Sequence, residues 1–163
     1  MRRAAPLIIA GGFACLAVSA SAQSATCARD LTVDELREVN SETAARANEF
    51  KDAFSRMTLD KATATISTVG ATLMGSELAN EIAATVDGRR HMVLLRDQVE
   101  PAAARELVIS RLAAQMRDAG NRARKVSISY GQVSRMAYVQ EVKDLAASSM
   151  EYADTLARRW SCQ

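Results

Sequence analysis

The most regular alternation of apolar and polar positions runs from Leu36 to Met57. Leu36, Val39, Thr43, Ala47, Phe50, Phe54 and Met57 keep the three-and-four spacing of one helix face, while Glu38, Glu42, Glu49 and Asp52 fall on the other side. Thr32 with Glu35 three residues on makes a capping box at its start, and Leu31 is placed to staple onto Leu36. The pattern breaks at Thr58-Leu59-Asp60. Asp60 is positioned to cap a second helix whose apolar side is Ala62, Ile66, Val69, Leu73, Leu78, Ile82 and Val86. Thr63, Thr65, Ile66, Thr68 and Val69 are β-branched, and Gly70 and Gly75 lower helix propensity. Close helix packing on this small face is the preferred reading, with a short strand as its rival. Asp87-Gly88 is expected to end the helix.

Arg89 to Ala119 reads as the third element. Met92, Leu95 and Val99 give way to Val108, Leu112 and Met116 across Glu100-Pro101, where the proline either kinks one helix or begins another. Gly120-Asn121 is a stop signal. The stretch Lys125 to Gly131 alternates like a strand, but a lone strand has only Ala62 to Val69 to pair with. Helix with a distortion near Gly131 is therefore preferred. Tyr138, Val142, Leu145, Ser149, Tyr152 and Leu156 then form the last seam, with Trp160 and Cys162 beyond it. At about 1.5 Å per residue a final helix starting at Arg122 is too long by about ten residues, and one entered near Gly131 matches the others.

The start of the chain reads as an address. Arg2 and Arg3 precede an uncharged run that closes on Ala20-Ser21-Ala22, the form of a secretory signal peptide cut after Ala22. Residues 1–22 are thus expected to be removed, leaving 23–163 as one helical domain in the periplasm or secreted. No later stretch is long and apolar enough to span a bilayer. With Cys15 gone, Cys27 and Cys162 remain in an oxidising compartment, where pairing is the default. A bond between them constrains the topology, because only an even number of antiparallel helices returns the C-terminus to the end where the chain began. The fold class expected is all-α: an antiparallel up-down-up-down four-helix bundle, kinked or split near Pro101 and Gly131 and closed by one terminal disulfide.

Charge changes the picture twice. The whole chain carries 21 basic and 19 acidic residues, and without Arg2 and Arg3 the balance is even. A nucleic-acid footprint is not supported. The halves nevertheless differ: residues 23–88 hold 6 basic and 11 acidic groups, residues 89–163 hold 13 and 8. Either the two halves attract each other during folding, or one face meets a charged partner. The densest cluster is Arg117, Arg122, Arg124 and Lys125, read as a basic bundle end with Tyr130 and Tyr138 beside it. It suits an acidic dock on a protein or on lipid head groups, since arginine and aromatics are favoured anchors. Its bland counterpart is a solvated helix end whose cations favour the local dipole.

Catalytic chemistry finds little footing. His91 is the single histidine and sits in Arg89-Arg90-His91 after a glycine, a solvated setting. There is no CxxCH, HExxH or paired histidine, so no catalytic residue, metal site or cofactor is assigned. The methionines Met57, Met74, Met92, Met116, Met136 and Met150 are scattered as core gap-fillers are. Glu77 and Glu81 lie one helical turn apart and are the candidate pair for a carboxylate-dependent enzyme. The leading expectation is a non-enzymatic envelope protein that binds another envelope or secreted protein, with a homo-oligomer compatible. The alternative is a carrier of a small apolar ligand lined by Phe50, Phe54, Leu73 and Tyr152.

Overall fold

The computed structural model describes the backbone of residues 26–59 and 66–161 and the side chains of 26–57 and 70–161. The expected signal peptide, the Asp60 cap, the side chains of Ala62, Ile66 and Val69, and Cys162 lie outside the described residues. Every element among the described residues is helical: a short α1 (26–30), then α2 Val33–Leu59, α3 Ile66–Gln98, α4 Ala102–Met136 and α5 Gln140–Ser161. The capping box is formed at the head of α2. The Glu35 amide donates to Thr32 Oγ1 at 3.2 Å, and the Thr32 amide donates to Glu35 Oε2 at 2.8 Å.

The helix boundaries after α2 depart from the expected ones. Asp87-Gly88 does not stop α3, which runs on to Gln98, so the expected element Arg89–Ala119 is divided by the turn at 99–101. That turn contains a cis Glu100-Pro101 peptide. Nor does Gly120-Asn121 stop α4, or Gly131 split it; the strand-like run Val126 to Gly131 is uninterrupted helix. The glycines serve packing instead. A Cβ at Gly120 would sit 3.0 Å from the Ser161 amide nitrogen and 3.2 Å from the Ala157 oxygen, so glycine here lets α5 approach the α4 backbone. One at Gly131 would meet Met150 Sδ at 3.2 Å.

Each long helix packs on its neighbour in the chain, α2 on α3, α3 on α4 and α4 on α5, while α5 makes fewer contacts with α2 and with α3. α2 and α4 do not pack side by side along their length, and each is seated on both α3 and α5. Their inner sides meet in the middle, where the Phe50 and Tyr130 rings stack with centroids 5.9 Å apart and planes 11° from parallel. The Tyr130 hydroxyl donates to the Gly75 carbonyl at 3.2 Å. Buried apolar residues from Ala28 to Trp160 form one connected cluster through this point. α2 buries the expected face except that Ala53 replaces Phe54, which is half-buried.

The helices are unequal, and the mismatch shapes one end of the molecule. Ser161 lies beside Gly120, so the first 18 residues of α4 extend about 27 Å beyond the described end of α5. The C-terminal part of α3 accompanies them. α1 covers this overhang: Arg96 donates to the carbonyls of Ala28 (2.6 Å) and Arg29 (2.8 Å), and Arg29 pairs with Glu106 at 2.6 Å.

Candidate functional site

Tyr130 is not a surface anchor. It is fully buried, and burial pushes its phenol well above the ordinary tyrosine range, with the Arg46 guanidinium and Ser149 hydroxyl pulling back less. The helical period explains this: Tyr130 shares the inward face of α4 with Ala119, Ala123, Val126 and Val133. Tyr138 is 75% exposed in the α4–α5 turn and is no part of the α5 seam. Val142, Ser149, Leu156 and Trp160 are buried as the seam requires.

Arg117, Arg122, Arg124 and Lys125 are all exposed, and they lie mid-way along α4, not in a turn, level with the start of α2 and the end of α5. The expected turn at Gly120 does not exist, so the cluster is drawn out along a helix face. Arg122 pairs with Asp118 at 3.1 Å. Along its whole length α4 holds seven cations, Arg105, Arg111, Arg117, Arg122, Arg124, Lys125 and Arg135, against Glu106 and Asp118, a balance of plus five. That equals the entire excess of residues 89–163. Arg111, Arg117, Lys125 and Arg135 make no ion pair among the described residues. Interleaved with them are Leu107 (57% exposed), Ile128 (60%) and Met136 (50%). At 100° per residue all of these lie on the half of the helix that faces away from Tyr130.

A second feature is a cleft of about 340 Å³ at the overhang, lined by Arg29, Arg96, Asp97, Arg105 and Ile109. Its arginines are already engaged, Arg96 with Asp97 (2.7 Å) and Arg105 with Glu100 (2.7 Å). Arg96 is the residue that fixes α1 in place. A smaller cavity of about 160 Å³ brings Cys27, Leu31 and Met116 against Arg159 and Trp160, so the N-terminal turn and the end of α5 are neighbours. Arg159 and Glu35 form an ion pair across the same junction.

The remaining candidates do not converge. Glu77 and Glu81 are both exposed on α3; Glu81 borders a slot with Arg122 and Trp160 that Glu77 does not reach. Phe50 is fully buried against Tyr130 while Leu73 is exposed, so the four proposed ligand-lining residues do not share one pocket. Among the described residues no helix is long and apolar enough to cross a membrane, and no three His, Cys, Asp or Glu side chains gather as a metal site would need.

Three arginines missed in the sequence prove structural. Arg46 lies over the Tyr152 ring at 4.5 Å and donates to Ser148 and Ser149 across the α2–α5 contact. Arg89 donates to the Thr85 and Gln115 carbonyls, joining α3 to α4, and Arg96 holds α1. Burial lowers the Arg89 pKa, partly offset by Asp118 and deepened by Arg122. No protein-family model matches the chain, and no curated protein or solved structure matches it significantly.

Proposed function

We propose that this is a non-enzymatic protein of a bacterial envelope that binds another protein through the outer face of α4. The observation that carries the reading is the composition of that face: Arg111, Arg117, Lys125 and Arg135 without ion pairs among the described residues, interleaved with exposed Leu107, Ile128 and Met136. A solvated helix gains nothing from such apolar residues. A docking face does, because apolar anchors ringed by arginine supply both contact area and orientation. An acidic partner surface complements it. The test is crosslinking and capture from the native envelope, comparing the natural protein with R117E/K125E. A partner recovered with the first and lost with the second supports the reading; no partner in several growth states, or capture indifferent to the substitutions, overturns it.

A topology belongs with this function. An up-down-up-down arrangement of α2 to α5 closed by a Cys27–Cys162 bond, in an exported chain cut after Ala22, is supported by the shared cavity of Cys27, Arg159 and Trp160. Closing so long a loop contributes on the order of 4 kcal/mol. Unreduced peptide mapping is expected to yield a Cys27-to-Cys162 peptide, and two alkylatable thiols would remove the bond.

A further inference from the structure

We infer that the acidic surface fitting α4 is found on a second copy of this chain: the outer face of α2. On α2, Glu38, Glu49 and Asp52 are exposed and form no ion pair among the described residues. Counted from Glu38 they stand at 0, 11 and 14 residues. On α4, Arg111, Arg122 and Lys125 are exposed and, counted from Arg111, also stand at 0, 11 and 14. Two helices laid side by side in parallel therefore bring three acids opposite three cations in one register, over about 21 Å. Arg122 gives up its exposed i,i+4 partner Asp118 in doing so, a small loss. Lys51 lies on the opposite flank of α2 from these acids, a helical quarter-turn past Phe50.

The inference rests on the protein-binding reading of α4 and names its partner. Because the inner sides of α2 and α4 meet at Phe50 and Tyr130, their outer faces point away from one another and cannot satisfy one another within one molecule. Each copy offers α4 to one neighbour and α2 to the next. Such a heterologous contact does not close on two copies but extends side by side. A strip about 21 Å long and one helix wide hides on the order of 500 Å² in total, below the size of stable complexes, so association is weak and salt-sensitive.

Sedimentation of the purified protein across a concentration series tests this, together with E38K/E49K/D52K and R111E/R122E/K125E. At low salt, about 50 mM, the average mass of the natural protein is expected to rise with concentration without a plateau, and to fall to the monomer near 500 mM. Each variant alone is expected to stay monomeric, while their equimolar mixture regains association, since each then supplies the face the other has lost. A monomer at every concentration at low salt overturns the inference, as does a mixture that stays monomeric while both variants are folded by circular dichroism. Should a variant fail to fold, carbodiimide coupling of mixed heavy- and light-labelled protein gives the same decision: an Asp52–Lys125 isopeptide between differently labelled copies supports the contact, and its absence with other couplings present removes it. If the chain is monomeric yet still captures a different protein, and R111E/R122E/K125E abolishes that capture, the second-copy partner falls and the protein-binding reading stands.

Discussion

Replacing Gly75 by alanine tests the centre of the fold. A Cβ built at Gly75 lies 2.6 Å from Phe50 Cζ and closer still to Cε1 and Cδ1, well inside van der Waals contact. The ring cannot swing away freely, because it is stacked on Tyr130, whose hydroxyl is bonded to the Gly75 carbonyl. Alanine in a helix gains about 1 kcal/mol over glycine. Against this stand overpacking at about 1–3 kcal/mol and weakening of the Tyr130 bond at about 1 kcal/mol. The net expectation for G75A is a loss of about 1–3 kcal/mol, a Tm lower by roughly 3–10 °C. At Gly70 and Gly88 in the same helix nothing lies within 4 Å of where an added methyl would stand, so G70A and G88A are expected to raise stability by up to about 1 kcal/mol. In an F50L background the G75A cost is expected to shrink by at least about 1 kcal/mol, read from urea melts as a double-mutant cycle. If G75A stabilises the protein alongside G70A and G88A, the Phe50 ring does not lie over this glycine and the central packing is wrong.

Alkaline pH gives a second check. Burial raises the phenols of Tyr130 and Tyr152, the latter with help from Glu42, so both ionise in the unfolded chain before they do in the folded one. Their contribution is complete below about pH 10 and is lost as pH climbs beyond it, at up to about 1.4 kcal/mol per pH unit for Tyr130 and less for the partly exposed, solvent-screened Tyr152. Melts followed by circular dichroism from about pH 8 to 11 should show this fall, with a shallower slope in Y130F. R96M keeps the bulk of Arg96 but not its bonds to Ala28 and Arg29; it is expected to cost about 2 kcal/mol and to speed hydrogen exchange at the Leu31 amide, which bonds to Cys27, and unchanged exchange there would mean that α1 is held by something else. T32A removes the Oγ1 acceptor of the capping box and should cost about 1 kcal/mol by urea denaturation, with a cost near zero showing that the box adds nothing to α2.

The helical class and the α2 face are legible in the sequence because they rest on local signals: an apolar period of 3.6 and a capping box, both satisfied within one turn. The boundaries of α3, α4 and α5 are not, because a glycine carries two meanings. Gly120 reads as a helix terminator until α5 is known to lie against it, and Gly88 costs α3 little more than propensity in open space. Taking Gly120 as a terminator places the Arg117–Lys125 cluster in a turn, whereas it occupies the middle of a helix. It also conceals that Tyr130 lies three residues short of Val133 on the buried face, and so cannot be the aromatic anchor of the same cluster.

A signal for the buried arginines is present in the register. Val39, Thr43, Arg46, Phe50, Ala53 and Met57 advance by alternate fours and threes, and so do Ile82, Val86, Arg89, Val93 and Arg96. An arginine at such a position must either break the helix face or reach out along it, and its long stem allows the second. Each does so here by spending its guanidinium on oxygen acceptors of another helix: Ser148 and Ser149 for Arg46, Gln115 for Arg89, Ala28 and Arg29 for Arg96. The arginines of α4 at Arg111, Arg117 and Arg135 fall outside its inward register and have no such acceptors among the described residues. Position relative to the apolar stripe thus divides one abundant residue type into two populations. The inward set ties the helices to one another, and the outward set is exposed with no such tie among the described residues.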